Sequence, residues 1–525
     1  MNRMLLLIFQ NSIYKIHDIV NRAGLSGFVK YTGKDYFMIN KLFFQPDQGW
    51  AGDPIPFFNK KDGRFYLFYL FDQRLTHRTA YKTSWNLAVS SDLGNWEDMG
   101  TVLFPGNRSD PDLCCYTGSV IHGKDDVYHM FYTAQNPDNE DYCISGKPVQ
   151  YIIHAVSTDL LHWEKHPESA FTSPSEDYEP FDWRDPHVFE DPNTGEYCML
   201  LAARYKNSTF RKGGLTLICR STDLLTWSTP VPFYSPEMYY THECPDIFFM
   251  NGWWYLVFST FTQRFATHYR MSRSLEGPWL IPDQDTFDAR GLYAIKTAAF
   301  GKRRFCFGWI PTKENNSDFA YWQWGGTLAI HELIQDSDGC LHVKIPDEYL
   351  RFCTKINTFP YPCLIPPESF AQNRNAFLKA NETRYLLYDD MPETGILTAD
   401  LFPSENILDF GLFLHVDDSL ENGYYFRFDP LHRQVVYDYW PRNPLTNEQH
   451  RLNGDIPFQN GFERWLSDSD FTHIHLKLLC CGTVMVLYVN NKIALSARIN
   501  RLHQHWGFFA TRGVLKVEHI WWREF

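Results

Sequence analysis

The sequence predicts an all-β protein, a five-bladed β-propeller followed by a C-terminal β-sandwich. Three observations lead to this fold class: a high aromatic content, a loose repeat between residues 45 and 345, and the near absence of helical periodicity there. Aromatic residues make up 17% of the 525 residues, and such side chains favour strands. A chain of this length is too long for a single core, so we expect at least two domains.

The repeat defines the predicted propeller. Residues 1–44 are predicted as an N-terminal lead-in with a short helix from Ile13 to Arg22. Residues 45–345 then hold five aromatic strands separated by clusters of Gly, Pro, Asn and Asp. The five runs are Phe65–Leu70, Tyr128–Thr133, Tyr197–Ala202, Trp253–Phe258 and Arg304–Trp309. Five such units predict five blades, which leave only short protected edges. A sandwich with long loops is the alternative.

The remaining residues predict a second all-β unit. Prolines at 360, 362, 366 and 367 mark residues 346–380 as a linker. Alternating segments such as Gly411–Val416 and Val484–Val489 follow, and they predict a β-sandwich over residues 381–525. Asn490 and Asn491 form the predicted hairpin turn after the second of these segments.

Charge and cysteine usage limit the partners and the location. The net charge of −13 argues against nucleic acid and anionic membranes as partners. The apolar run Met4–Phe9 is too short for a signal peptide, and no stretch approaches the roughly 20 apolar residues of a membrane span. The 12 cysteines are scattered without a CxxC motif, which favours reduced thiols. We therefore predict a cytoplasmic protein without a membrane partner. Secretion is the alternative, and a homo-oligomer stays open.

Three acidic residues stand at similar places in the repeat. Asp53 and Asp185 each precede an aromatic strand by 12 residues and Glu243 precedes one by 10, and a Pro follows each acid within two residues. Pro54 and Pro56 predict an extended chain around Asp53. Because the innermost strands of a propeller line its central channel, we expect the three carboxylates to meet at one end of that channel.

Converging carboxylates serve two kinds of chemistry. They raise one another's pKa, so one stays protonated while another is ionised, and cleavage of a glycosidic bond requires this pair. The rival use is a hard cation such as Ca²⁺, which takes oxygen ligands. The sequence has no EF-hand-like loop or histidine pair to support a cation, so we expect neither a metal nor a cofactor. For one Asp-Pro alone, a structural role is the simpler interpretation.

The blocks around these acids resemble glycoside hydrolase family 32, the β-fructofuranosidases that include invertases, inulinases and levanases. The matching blocks, in the family's order, are Trp50…Asp53-Pro54, Arg184-Asp185-Pro186 and Glu243-Cys244-Pro245-Asp246. Weaker likenesses are Tyr116-Thr-Gly-Ser119, Asp288…Tyr293-Ala294, and Trp324-Gly-Gly326 with His331-Glu-Leu333. The resemblance covers residues 45–345 well, whereas residues 381–525 match the family's sandwich only in character.

The resemblance implies hydrolysis of β-fructofuranosidic bonds with retention of configuration, in fructans of levan or inulin type or in sucrose. Asp53 would be the nucleophile that forms a fructosyl-enzyme, Glu243 the general acid and then the base, and Asp185 the stabiliser of the transition state. The candidate contacts to this carbohydrate substrate are Trp50, Phe57, Gln73, Tyr116, Ser119, Arg184, Tyr293 and Trp324.

The chain departs from the family pattern next to the nucleophile. Gly52 stands where the family has an Asn that would bind the terminal sugar, Ile55-Pro56 where it has Asn-Gly, and His331 where it has Arg. These changes argue against ordinary sucrose hydrolysis and favour unusual fructosides or fructosyl transfer. Three alternatives therefore stay open: a fructosyltransferase, an inverting furanosidase of the related family 43, and a sugar-binding propeller without catalysis.

Overall fold

A computed structural model describes residues 42–75, 80–173, 176–209, 212–262, 265–356, 362–440 and 462–525. The predicted lead-in helix from Ile13 to Arg22 lies outside these residues. The described residues form 33 strands and one five-residue α-helix. Within these ranges, no helix is long and apolar enough to cross a membrane.

Residues 50–344 contain the first 21 strands. They are β1 (Trp50–Asn59), β2 (Arg64–Asp72), β3 (Ser84–Ser90), β4 (Glu97–Leu103), β5 (Cys114–His122), β6 (Tyr128–Gln135), β7 (Cys143–Ile144), β8 (Lys147–Pro148), β9 (Gln150–Ser157), β10 (Glu164–Phe171), β11 (Tyr178–Glu190), β12 (Tyr197–Tyr205), β13 (Gly214–Ser221), β14 (Val231–Tyr234), β15 (Glu243–Met250), β16 (Trp253–Thr260), β17 (Ala266–Ser272), β18 (Tyr293–Phe300), β19 (Arg303–Lys313), β20 (Trp322–Gln335) and β21 (Leu341–Lys344). Short 3₁₀ helices cover Glu140–Tyr142 and Glu314–Asn316.

These strands form antiparallel sheets in which sequence neighbours pair. One sheet contains β5, β6, β9 and β10, a second contains β11 to β14, and a third contains β15 to β17. An eight-stranded sheet joins β18 to β21 with β1 to β4, and its two halves meet at the pairing of Ala51 with Gly326. The five predicted aromatic runs are all strands: they lie in β2, β6, β12, β16 and β19.

The strands β1, β5, β11, β15 and β18 contact one another in a closed cycle. β1 contacts β5, β5 contacts β11, β11 contacts β15, β15 contacts β18, and β18 contacts β1. Each is the strand that comes first along the chain within its sheet or half-sheet. The cycle therefore surrounds a common centre, and side chains on these strands reach it from five directions.

The C-terminal part is one large antiparallel sheet folded over its own core. After α1 (Asp347–Arg351), its strands are β22 (Lys355–Ile356), β23 (Phe370–Gln372), β24 (Asn375–Tyr388), β25 (Thr394–Pro403), β26 (Asp409–Val416), β27 (Gly423–Asp429), β28 (Gln434–Trp440), β29 (Phe462–Trp465), β30 (Ile474–Cys481), β31 (Val484–Val489), β32 (Ile493–Arg498) and β33 (His505–Glu524), with a 3₁₀ helix over Asp468–Phe471. The 20-residue β33 pairs with β24, β25 and β26. The predicted linker, residues 346–380, thus contains α1, β22, β23 and the start of β24.

Buried polar contacts join the C-terminal sheet to the first part of the chain. Asp288 accepts hydrogen bonds from the amide and hydroxyl of Ser496 at 3.0 and 2.7 Å, and it lies 2.8 Å from His331 Nε2. The Arg498 guanidinium donates to the carbonyl oxygens of Ile310 and Pro311, both at 3.0 Å. Asp288 and His331, two residues of the weaker family blocks, therefore belong to this interface.

Candidate active site

Each of the five central strands contains a β-bulge. The five shifts in register lie between Gly52 and Ile55, Tyr116 and Gly118, Arg184 and His187, Glu243 and Asp246, and Tyr293 and Lys296. A bulge bends its strand and re-aims the side chains beside it. The same irregularity in all five strands turns one patch of each towards the shared centre.

The backbone at Asp53 differs from the extended chain that the sequence predicts there, and Asp185 and Cys244 in two other bulges have similar backbone angles. Asp53, Asp185 and Cys244 have φ angles of 34°, 58° and 49°, in or near the left-handed region. Each precedes a proline, and a proline disfavours helical conformations in the residue before it, so an extended Asp53 was the local expectation. Tertiary contacts override this preference at a cost of about 1–3 kcal/mol per residue, which is typical of functional sites.

The three predicted carboxylates line one cavity of about 340 Å³, together with Cys244 and Arg184. Asp53 and Asp185 occupy the left-handed position of their bulges, whereas Glu243 stands one residue before that position, which Cys244 takes. A larger cavity of about 540 Å³ lies beside β9 and β10, and none of the three acids lines it. The smaller cavity is the candidate site because it combines the acids.

Two donors hold the Asp53 carboxylate. The Thr117 hydroxyl donates to Oδ2 at 2.6 Å, and the Trp309 indole N–H donates to Oδ1 at 2.9 Å. Donors of this kind favour the ionised form of a carboxyl group and fix its orientation. An oriented, half-buried carboxyl group of this kind is suited to act as a nucleophile.

Glu243 lies between a cation and a phenol. Arg184 Nη2 donates to Oε1 at 3.1 Å, and the Tyr293 hydroxyl donates to Oε2 at 2.6 Å. Its side chain is 18% exposed, so it is accessible from the cavity. Glu243 can therefore exchange a proton with a bound molecule while its position is fixed from two sides.

Arg184 is the central cation of the site. Its guanidinium contacts Asp182 at 2.6 Å, Glu243 at 3.1 Å and Asp185 at 3.8 Å. Burial alone would lower the pKa of Arg184, but Asp182, Glu243 and Asp185 together raise it well above its ordinary value. Arg184 therefore stays charged and offsets part of the negative charge of the acids.

Asp185 is buried and held through the backbone. Its Oδ2 accepts a hydrogen bond from the Cys244 amide at 2.8 Å, and its own amide donates to Thr133 Oγ1 at 2.7 Å. Burial first, and then the charges of Asp53, Asp185 and Glu243, raise the pKa of the Cys244 thiol well above its ordinary value. The thiol thus stays protonated, which argues against Cys244 as a nucleophile.

Four of the eight predicted sugar contacts line the cavity: Tyr116, Arg184, Tyr293 and Trp324. Trp324 lies against Gly52, where the family pattern has Asn. A Cβ atom on residue 52 would lie 2.4 Å from two ring carbons of Trp324. The indole therefore fills the space into which a side chain at residue 52 would project.

The other four predicted contacts lie outside the lining of this cavity: Trp50, Phe57, Gln73 and Ser119. The Arg74 guanidinium stacks on Trp50 at 3.7 Å, and Phe57 packs edge-on against Tyr128. The Ser119 hydroxyl accepts the Val188 amide at 2.9 Å, which joins β5 to β11. Gln73 lines a neighbouring cavity of about 480 Å³.

Several residues of the site are not predicted from the sequence. Asp182, Thr117 and Gln150 line the cavity, and the Trp309 indole donates to Asp53. A signal existed for Asp182, because residues two apart on a strand share a face, and Arg184 follows it by two. For Trp309 no specific signal existed, because Phe305, Phe307 and Trp309 alternate on one face of β19 and such a stripe predicts only core packing.

Comparison with known proteins identifies the family of the chain. The model of the glycosyl hydrolases family 32 N-terminal domain matches residues 43–342. An insoluble isoenzyme of β-fructofuranosidase from Arabidopsis thaliana is 27% identical over 318 residues, 55% of this chain and 53% of that protein. Sucrose-6-phosphate hydrolase from Escherichia coli is 26% identical over 358 residues, 63% of this chain and 66% of that protein.

The chain thus spans about half to two thirds of the length of these relatives. Among solved structures, exo-inulinase from Aspergillus awamori superposes with a TM-score of 0.70 at 15% identity, covering 93% of this chain and 98% of that one. The two proteins therefore share their fold over nearly their whole lengths. Because the family model matches more than half of the residues, this chain belongs to glycosyl hydrolase family 32.

Proposed function

We propose that this protein is a glycosidase that cleaves β-fructofuranosidic bonds with retention of configuration. The observation that supports this most directly is that Asp53 and Glu243 line one cavity and are held by different partners. Two donors without charge hold Asp53, whereas a cation and a phenol hold Glu243. The substrates are fructans of levan or inulin type, or sucrose.

In the first step, Asp53 attacks the anomeric carbon of a fructosyl unit. The bond from that carbon to the leaving oxygen breaks, and Glu243 gives its proton to this oxygen. A covalent fructosyl ester of Asp53 remains. The indole and hydroxyl that hold Asp53 keep the attacking oxygen in place, so little reorganisation is needed.

In the second step, Glu243 acts as a base. The ester has removed the negative charge of Asp53, so Arg184 and Tyr293 now stabilise an ionised Glu243 more effectively. Glu243 takes a proton from water, the hydroxide attacks the anomeric carbon, and Asp53 leaves as a carboxylate. Two inversions at the same carbon give overall retention.

Asp185 stabilises the charge that develops between these states. The furanose ring becomes oxocarbenium-like in the transition state, and a nearby carboxylate favours that positive charge. Asp185 is buried and held by the Cys244 amide, so this charge is already oriented before the reaction begins. Arg184 lies between Asp185 and Glu243 and prevents the acids from repelling one another.

We also propose that residues 45–345 form a five-bladed propeller, that residues 346–380 link it to the second unit, and that residues 381–525 form a sandwich. The closed cycle of five central strands supports the blade count. The eight-stranded sheet then represents two blades, since its halves share the pairing of Ala51 with Gly326. The predicted cytoplasmic location rests on the unpatterned cysteines.

Product analysis on sucrose, inulin and levan tests the proposed activity. We compare the wild-type protein with Asp53→Asn and with a control variant, Asp141→Asn, under identical conditions. Asp141 is exposed and lies far along the chain from the three acids. We expect the wild type and the control to release fructose or short fructosides, and Asp53→Asn to release none. The first sugar released is examined by NMR before it mutarotates, and retention is expected.

The other possible outcomes of the product analysis each contradict or redirect one part of the proposal. Full activity of Asp53→Asn contradicts its role as nucleophile, and inversion favours the family 43 mechanism. Products longer than the substrate indicate fructosyl transfer. Absence of turnover by the wild type on all three substrates contradicts the proposed substrate class.

A further inference from the structure

A thiol, a carboxylate and an imidazole meet where β24 ends and β33 begins in the C-terminal sheet, and none of the three lines the candidate active site. The residues are Cys363, Asp389 and His505. Their sulfur, oxygen and nitrogen atoms all lie within 4.8 Å of one another. These three donor types come from three separate segments of the chain.

The backbone around each of these residues is fixed by pairing. The Cys363 amide donates to the Leu387 carbonyl at 2.9 Å, which ties its segment to β24. Asp389 directly follows β24, whose last residue, Tyr388, pairs with Trp506 on β33. His505 begins β33 and pairs with Val416 on β26. The three side chains therefore start from positions that the sheet holds in place.

The two nitrogens of His505 have different surroundings. Nδ1 is buried and lies 2.8 Å from Asp389 Oδ1, yet it makes no hydrogen bond of acceptable geometry within the described residues. Nε2 lies 2.8 Å from Asp418 Oδ1. A proton on Nε2 that bonds to Asp418 leaves the lone pair of Nδ1 facing Asp389 and Cys363.

This is the arrangement by which proteins orient a metal-binding histidine. Such a histidine donates its second ring N–H to a carboxylate, which fixes the tautomer and makes the first nitrogen a better ligand. Sulfur, nitrogen and oxygen together match Zn²⁺, which is held by cysteine, histidine and aspartate. Ca²⁺ and Mg²⁺ take oxygen ligands and do not match a thiol.

We propose that Cys363, Asp389 and His505 bind one Zn²⁺ ion, with Asp418 positioning His505 and with water as the fourth ligand. The ion would tie the segment around Cys363 to β24 and β33. Because an ion that binds only the folded chain stabilises it, Zn²⁺ would raise the unfolding temperature of the sheet. This proposal does not depend on the proposed glycosidase activity.

Cobalt substitution tests the site directly. The full-length protein, freed of metal and kept reduced with a phosphine, is titrated with Co²⁺ and then with Zn²⁺. We expect one Co²⁺ per chain, a thiolate-to-cobalt charge-transfer band in the near ultraviolet, and loss of that band when Zn²⁺ displaces Co²⁺. Cys363→Ser and His505→Gln should lack the band. Asp418→Asn should keep it but bind the metal about 10–100-fold more weakly.

Two matched variants serve as controls. Cys353→Ser removes another thiol that is not fully buried, and His432→Gln removes a histidine that pairs with Asp429 at 2.8 Å. Both should bind Co²⁺ like the wild type. The proposal is overturned if the wild type gives no charge-transfer band, or if Cys363→Ser keeps it.

Alkylation gives a second measurement that does not depend on cobalt. Cys363 is exposed, so iodoacetamide should modify it, and peptide mass spectrometry should locate the label. Zn²⁺ should slow this modification in the wild type and leave its rate unchanged in His505→Gln. Equal rates with and without Zn²⁺ in the wild type would contradict the site even if the variants fold poorly.

Discussion

Gly52 and Trp324 form a matched pair beside Asp53. The ring of Trp324 fills the space that a side chain at residue 52 would need, and Trp324 also lines the cavity. The family pattern places an Asn at residue 52 that would bind the terminal sugar. At residue 52 this chain therefore presents the aromatic wall of Trp324 in the space of that amide.

We predict that Gly52→Asn alone impairs the enzyme, because the new side chain must displace Trp324. The expected result is a fall in kcat/KM of at least tenfold on the preferred fructan, equivalent to about 1.4 kcal/mol of transition-state stabilisation. The double variant Gly52→Asn/Trp324→Ala should recover part of this loss, since neighbouring residues are not additive. If the effects of the two substitutions on kcat/KM are strictly additive in this double-mutant cycle, the contact between residues 52 and 324 is contradicted.

The three acids could be predicted from the sequence, because their residue types suit glycosidic cleavage and their order along the chain matches the family pattern. Ser119 was predicted as a sugar contact, whereas in the structure its hydroxyl accepts the Val188 amide. Thr117 was not predicted because of the bulge between Tyr116 and Gly118: strict alternation would place the neighbours Tyr116 and Thr117 on opposite faces, but the extra residue disturbs this alternation and both line the cavity. A pattern of period two cannot anticipate such a reversal.

At the scale of the strand, prolines mark three of the five bulges. Pro54, Pro186 and Pro245 each follow the residue with positive φ. The extra residue of a bulge stays unpaired in the hydrogen-bonding ladder. Because proline has no N–H to pair, it is tolerated at such a position. The Asp-Pro and Cys-Pro steps were visible in the sequence, but their meaning depends on the partner strand.

Strand β25 carries a carboxylate surrounded by histidines. Asp400 lies 2.9 Å from His475, 3.0 Å from His473 and 2.9 Å from His519. Although burial alone would raise it, the pKa of Asp400 is lowered because these three imidazoles bond to the carboxylate. A lowered pKa means that Asp400 stabilises the fold above its unfolded pKa of about 3.9, and that this stabilisation is lost as the pH falls through the folded pKa.

We predict that Asp400→Asn unfolds at a lower temperature than the wild type at pH 6 to 7. The difference should shrink as the pH falls below about 4, where the wild-type carboxylate becomes protonated as well. Thermal unfolding of both proteins between pH 3 and 7 measures this, with the exposed Glu405→Gln as the control. A difference that is independent of pH would contradict an electrostatic role for Asp400.

At the scale of the whole molecule, the two parts of the chain meet through buried polar groups. Asp288 and His331 are fully buried, and Ser496 from the C-terminal sheet donates twice to Asp288. The sequence predicts at least two domains, and its family-like blocks include Asp288 and His331. It could not predict their role, because the partner Ser496 lies 208 residues further along the chain.

We predict that Asp288→Ala destabilises the protein by about 3–5 kcal/mol, because it leaves buried donors without their acceptor. Asp336→Ala is the matched control: it removes the partner of the more exposed His342, at 2.9 Å. That change should cost no more than about 1 kcal/mol. Urea unfolding, followed by tryptophan fluorescence, measures the free energy of unfolding of both variants. Equal losses of stability would contradict a particular stabilising role for the buried contact of Asp288.

The closed cycle of central strands also constrains when the enzyme can become active during synthesis. Asp53 enters the chain early, but its hydrogen-bond donor Trp309 follows 256 residues later, and Gly326 closes the sheet on Ala51 later still. A ribosome-bound chain that has emerged only as far as Glu243 holds all three acids and Thr117, but lacks the Trp309 indole that also orients Asp53. We therefore expect the proposed catalysis to begin only after the ring of strands is complete, so that a truncated product would not consume substrate.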